Sequence, residues 1–147
     1  MSEARNTLDR IVELLNRFVV LPEHGPDTIA LYVLSTHLVD IAQFAPLLVL
    51  RSPEMRCGKT TTMDLIGEMV HAPLAAANAS PAALYRALEE KKPTLLLDEV
   101  DAFLAQKSES SEAVRGILNS GHRRGRYSTV IRSNERGELQ FFDVFGP

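Results

Sequence analysis

The chain has 147 residues, 45% apolar and 24% charged, the balance of a soluble globular protein with enough length for one domain and a sizeable core. A net charge of −3 excludes a global basic field that would attract nucleic acid. The single cysteine, Cys57, excludes a disulfide framework and a cysteine-built zinc cluster.

The N-terminal residues Met1 to Arg5 lead into polar sequence without an apolar signal core. The cysteine count, together with the nucleotide reading of residues 52–61, predicts a cytoplasmic protein. Leu8, Ile11, Val12, Leu14, Leu15 and Phe18 recur at helical spacing, opposite Glu13, Asn16 and Arg17. Asn6 or Thr7 is the expected N-cap of this helix, which should stop before Pro22. A second helix is expected from Pro26-Asp27 to about Gln43, with Pro46 ending it. Thr28 to Leu50 is the one long apolar region, but His37, Asp40, Gln43 and Pro46 interrupt it. That pattern predicts a buried helix followed by a strand, and no membrane span. His37 reads as a core-edge histidine, and His24 and His71 stand beside turn residues without metal-ligand spacing. Residues 1–45 are thus expected to form a helical segment packed on a core built from 46–147.

From Pro46 the expected order is a strand 46–51, a phosphate loop, a helix 59–71, and a short strand near 74–78. The loop is Ser52-Pro53-Glu54-Met55-Arg56-Cys57-Gly58-Lys59-Thr60-Thr61. Gly-Lys-Thr after a buried strand suits a P-loop. Backbone N–H groups converge on one spot at a helix N-terminus, Lys59 adds a positive charge, and Thr60 offers a hydroxyl to Mg²⁺. The first Gly of the GxxxxGK[ST] pattern is replaced by Pro53, which lacks an N–H. Cys57 reads as a small filler, with redox sensing as the alternative. Ser80-Pro81 marks a helix start, and that helix should reach Glu89 or Glu90. Thr94 to Asp98 then reads as a strand buried on both faces, ending in Asp98-Glu99. Asp98 at such a strand end can hold Mg²⁺ through water, and Glu99 can polarise an attacking water. Read apart, Gly-Lys-Thr is also an ordinary strand-to-helix turn and Asp98-Glu99 a solvated helix start.

Lys107 to Glu112 reads as a polar loop with a cap, followed by a helix from Glu112 to Ser120 that Gly121 stops. Six of the chain's twelve arginines (Arg115, Arg123, Arg124, Arg126, Arg132 and Arg136) then fall in a span with one acid, Glu135. Tyr127 to Arg132 and Leu139 to Val144 alternate around the turn sequence Ser133 to Gly137, which predicts a basic β-hairpin at about 126–144. Such a hairpin suits contact with nucleic-acid phosphates. A solvated hairpin paired with local acids or a neighbouring subunit is the plainer reading. Arg123 and Arg124 also suit a charge offered to a γ-phosphate, in cis or across an interface. Asn134 is either a hairpin-tip residue, the preferred reading, or a polar sensor at the end of the strand 127–133.

Arg51 to Glu54 with Cys57 to Thr60, Ala77 to Leu84, Pro93 to Asp101, Ile117 to Gly125 and Phe145-Gly146-Pro147 together resemble a P-loop family of unknown function from phages and mobile elements. Members of that family look like AAA+ ATPases and often accompany primase or helicase modules. The resemblance covers essentially the whole chain, and within it Ser52-Pro53 is a usual start to the loop. It implies an α/β fold with a three-layer P-loop NTPase core of the ASCE/AAA+ type. Two helices would precede the parallel sheet, which is incomplete, and a β-hairpin would end the chain. It also implies a further sensor strand, an arginine finger and a helical lid beyond Pro147, so the chain is expected to be C-terminally truncated.

The resulting expectation is an ATP-binding protein, a Mg²⁺-dependent ATPase coupled to nucleic-acid remodelling or replication of a mobile element, and a homo-oligomer when complete. Lys59 and Glu99 carry the catalytic roles, residues 52–61 bind nucleotide, and Thr60 and Asp98 hold Mg²⁺. Arg123, Arg124, Arg126, Arg132 and Arg136 are candidates for nucleic-acid or trans-phosphate contact. Two alternatives stand: a nucleotide-dependent assembly module with little turnover, and a small-molecule phosphotransferase.

Overall fold

The computed structural model describes residues 3–51, 57–75, 80–105, 108–133 and 136–147, with only the backbone at 101–103. Its elements, in order, are α1 (Glu3–Phe18), α2 (Gly25–Thr36), α3 (Lys59–Gly67), β1 (Pro73–Ala75), α4 (Pro81–Lys91), β2 (Thr94–Leu96), α5 (Val100–Ala105), α6 (Glu109–Ser120), β3 (Thr129–Ser133) and β4 (Leu139–Asp143). The chain is therefore α/β, with a parallel pair β1–β2 and an antiparallel pair β3–β4. Among the described residues no helix is long and apolar enough to cross a membrane.

Three apolar clusters hold these elements. Leu15 of α1 meets Ile29 and Val33 of α2 and Ile66 of α3, with Leu48 and Leu50 packed alongside. Burial in this cluster pushes the Tyr32 phenol above its usual pKa. A second cluster joins Leu84, Tyr85 and Leu88 of α4 to Val114 and Ile117 of α6 and to Val130 and Phe142 of the hairpin. The rings of Tyr85 and Phe142 stack at 5.5 Å there. The third contains Val39, Ala45 and the fully buried Phe145.

The second helix stops at Thr36, well short of Gln43. Hydroxyls explain the early end: Ser35 donates to the Tyr32 carbonyl at 2.7 Å and Thr36 to that of Val33 at 2.7 Å. Such bonds compete with the helical ladder. Three-residue turns follow, with the N–H groups of His37 and Leu38 donating to Leu34 and Ser35 at 3.2 and 3.1 Å. The third helix likewise gives way to turns after Gly67.

Pro46 to Arg51, expected as the buried strand before the phosphate loop, is not a strand. It pairs with no strand among the described residues, and its exposure alternates, with Leu47 and Val49 outward and Leu48 and Leu50 in the α1–α2–α3 cluster.

β1 and β2 pair in register Pro73↔Thr94, Leu74↔Leu95 and Ala75↔Leu96, joined by α4 as the crossover. Ser80 caps α4 by accepting from the Ala83 N–H, and Pro81 occupies its start. Residues 76–78 of the predicted strand 74–78 lie outside the described residues. α5 has only six residues and starts directly after the acidic pair, as the alternative reading of Asp98-Glu99 as a solvated helix start anticipates.

α6 begins at Glu109 rather than Glu112 because Ser108 and Ser111 form a reciprocal capping box. Ser108 Oγ accepts the Ser111 N–H at 3.2 Å, and Ser111 Oγ accepts the Ser108 N–H at 3.3 Å. Ser108→Ala is expected to cost about 1 kcal/mol. A lower urea midpoint at unchanged m-value would register that loss.

The hairpin forms as expected, with Thr129↔Asp143 and Ser133↔Leu139 at the two ends of its register. Gly137, at φ 77°, takes the left-handed conformation in the connection. The closing residues are tied in by backbone bonds. Val144 N–H donates to Ser128, Gly146 N–H to Gly121, and Leu95 N–H to the Pro147 carbonyl, at 2.9, 3.2 and 2.9 Å.

Candidate functional site

Gly58, at φ 85°, turns the chain into α3 at Lys59, and no side chain caps this helix. The first helical bond runs from the Thr62 N–H to the Gly58 carbonyl, so the N–H groups of Lys59, Thr60 and Thr61 have no intrahelical acceptor. Thr62 turns its own hydroxyl back onto the Gly58 carbonyl at 2.9 Å and is buried. Cys57, Lys59, Thr60 and Thr61 are exposed. Ser52, Pro53, Glu54, Met55 and Arg56, the rest of the predicted loop, lie outside the described residues.

Two contacts bring the end of α3 and the turns after it beside β2. A Cβ on Gly67 would come within 3.2 Å of Leu96 Cδ1. Four residues later, the His71 carbonyl accepts from the N–H and hydroxyl of Thr94 at 3.1 and 2.8 Å. The chain from 67 to 71 therefore runs antiparallel to Thr94–Leu96. Gly67 to Lys59 spans about 12 Å of helix at the usual rise.

β2 stops at Leu96, short of the predicted end at Asp98, and beyond the buried Thr94 it is half-buried rather than covered on both faces; Asp98 and Glu99 follow it, both exposed. Glu99 has φ 51°, a left-handed conformation that a non-glycine residue adopts only when its surroundings impose it. Asp98 Oδ1 accepts the Glu99 N–H at 2.9 Å, which fixes one carboxylate oxygen and leaves the other outward. The strain at Glu99 was not legible from residue type, because only its backbone reveals it.

The five arginine candidates divide by environment. Arg124 is half-buried: Nε donates to the Ala42 carbonyl at 2.8 Å, another nitrogen donates to the Val39 carbonyl, and the guanidinium lies 4.3 Å from the Phe145 ring centre. Arg132 donates to the Tyr85 hydroxyl at 2.9 Å. Arg123 lies between the rings of Phe44 and Tyr127, at 5.8 and 4.9 Å, and Arg126 flanks Tyr127 at 5.3 Å. Arg136 is exposed and engaged within the chain. Arg115, on α6, donates to the Leu104 carbonyl. Asn134 lies outside the described residues.

His37 is exposed; its Nε2 lies 2.8 Å from the Met69 carbonyl, and its ring meets that of His71 edge-on at 6.0 Å. Among the described residues no group of three His, Cys, Asp or Glu side chains is placed to hold a metal ion.

This geometry defines an α/β protein in which a helix opens at Gly58-Lys59 and the chain after β2 carries an exposed acidic pair. No protein-family model, curated protein sequence or solved structure matches the chain.

Proposed function

We propose that the chain is a P-loop ATPase domain of the ASCE type, binding ATP at the start of α3 and hydrolysing it with Mg²⁺. The order of elements supports this reading most: Gly58 turns the chain into a helix that opens with Lys59-Thr60, and the second strand of the parallel pair leads into Asp98-Glu99. Ligands of open α/β sheets bind at the carboxyl ends of their strands. In this reading Lys59 binds the β- and γ-phosphates, and the unpaired N–H groups of the first turn of α3 bind phosphate oxygens.

The donor set fits Mg²⁺ chemically. The Thr60 hydroxyl and the outward Asp98 oxygen are hard oxygen ligands, and both residues are exposed. When bound, the ion offsets charge developing on the phosphoryl group. Glu99, exposed just after β2, takes the proton of the attacking water. Phosphoryl transfer of this kind depends on positioning and charge more than on covalent chemistry.

The test is Glu99→Gln, followed by ATP titration and phosphate release. Retained affinity with turnover reduced about 100-fold or more is expected. Parent-like turnover in the variant would remove Glu99 from the mechanism. A parent that binds ATP without releasing phosphate would make the chain a nucleotide-dependent binding module.

A further inference from the structure

An open groove of about 520 Å³ lies between the first turns of α4 and the β3–β4 hairpin. Its floor is apolar, with the stacked and buried rings of Tyr85 and Phe142. Its exposed rim carries Arg86, Arg132 and Arg136 together with Ser133, and no Asp or Glu lines it among the described residues. Three guanidinium groups around one cavity, in a chain of net charge −3, make a local field of the opposite sign.

Arg132 is already oriented. It donates to the Tyr85 hydroxyl at 2.9 Å and to the Ile131 carbonyl at 3.0 Å, and its guanidinium lies over the Tyr85 ring at 5.3 Å. A guanidinium has five N–H donors, so a pinned arginine still has several to offer, with less entropy to lose on binding. Arg86 is exposed on α4. Volume and lining match a site for a small organic ligand with a charged group. The arginine fork matches phosphate geometry, and the apolar floor matches an attached sugar or base.

We propose that this groove binds a nucleotide unit through its phosphate, presented either as a free mononucleotide or within single-stranded nucleic acid. The site shares no residue with Gly58 to Thr61 or Asp98-Glu99 and does not depend on the ATPase reading.

Binding is measured in the Lys59→Ala background, so that the start of α3 is disabled. The probes are a labelled dT12 oligonucleotide, followed by anisotropy, and AMP, followed by the amide resonances of Ala82, Ser133 and Gln140. Binding of at least one probe is expected, and Arg86→Glu should weaken it about tenfold at unchanged melting temperature. Arg132→Lys keeps the charge but loses the fork, and should weaken binding similarly. AMP binding identifies the phosphate of a single nucleotide as sufficient, whereas dT12 binding alone identifies the strand as the ligand. The proposal is overturned if neither probe binds, or if both arginine variants bind like their parent.

Discussion

Lys59→Ala is expected to lower ATP affinity about 100-fold while leaving the folded protein intact. The size follows from the loss of a charge-assisted contact to a phosphate, made where the α3 N-terminus adds its own positive field. The clean separation of binding from stability follows from the position of the residue. Lys59 is exposed, opens α3 and stands in none of the three apolar clusters. Exposed substitutions of this kind usually change stability by about 0.5 kcal/mol or less. Calorimetric titration with Mg-ATP and a thermal melt read the two effects apart. Unchanged ATP affinity at an unchanged melting temperature would place the nucleotide elsewhere, or nowhere, in this chain. A lowered melting temperature without ATP present would show that Lys59 supports the fold instead.

Much of the local structure was legible because it rests on short-range rules. Ser80-Pro81 read as a helix start and is one, since cap and proline act within a single turn. The alternating runs around Ser133 to Gly137 formed the antiparallel pair, because period-2 patterning and a glycine turn specify a hairpin locally. The segment 46–51 was less legible: a continuous apolar run does not say whether one face or two will be covered. The side chains of Leu47 and Val49 turn outward, and only tertiary placement decides that.

Gly121 was legible as a stop for a different reason from the one that operates. It sits at φ −74°, an ordinary helical value, so left-handed freedom is not its role. A Cβ there would approach the Val144 carbonyl oxygen at 2.6 Å. Glycine lets the closing segment reach α6, where Gly146 N–H bonds the Gly121 carbonyl at 3.2 Å. For the candidate site, the sequence named Lys59, Thr60, Asp98 and Glu99 from motif chemistry. It did not supply the approach of the end of α3 to β2, which depends on contacts between residues 23 to 29 positions apart. The groove at Arg86 was equally hidden, because it joins a residue of α4 to the hairpin.

Phe145→Ala is expected to destabilise the fold by about 3–5 kcal/mol, the cost of emptying a fully buried aromatic site. The loss should reach beyond one cavity. Phe145 packs with Val39 and Ala45, and its ring lies 4.3 Å from the Arg124 guanidinium that binds the carbonyls of Val39 and Ala42. The ring and the arginine together hold the turns after α2 against the closing segment. Phe145→Leu keeps most of the volume and should cost less, because the cavity term shrinks while the cation–π contact is lost. A double-mutant cycle with Arg124→Ala should then show coupling of about 1 kcal/mol in urea denaturation. The same cycle decides what Arg124 is for. With its donors directed at two backbone carbonyls, Arg124→Ala should lower stability and leave the ATP affinity of the folded protein unchanged. An Arg124→Ala protein of parental stability that had lost ATP affinity or turnover would instead make Arg124 a phosphate ligand, and the carbonyl contacts incidental to it.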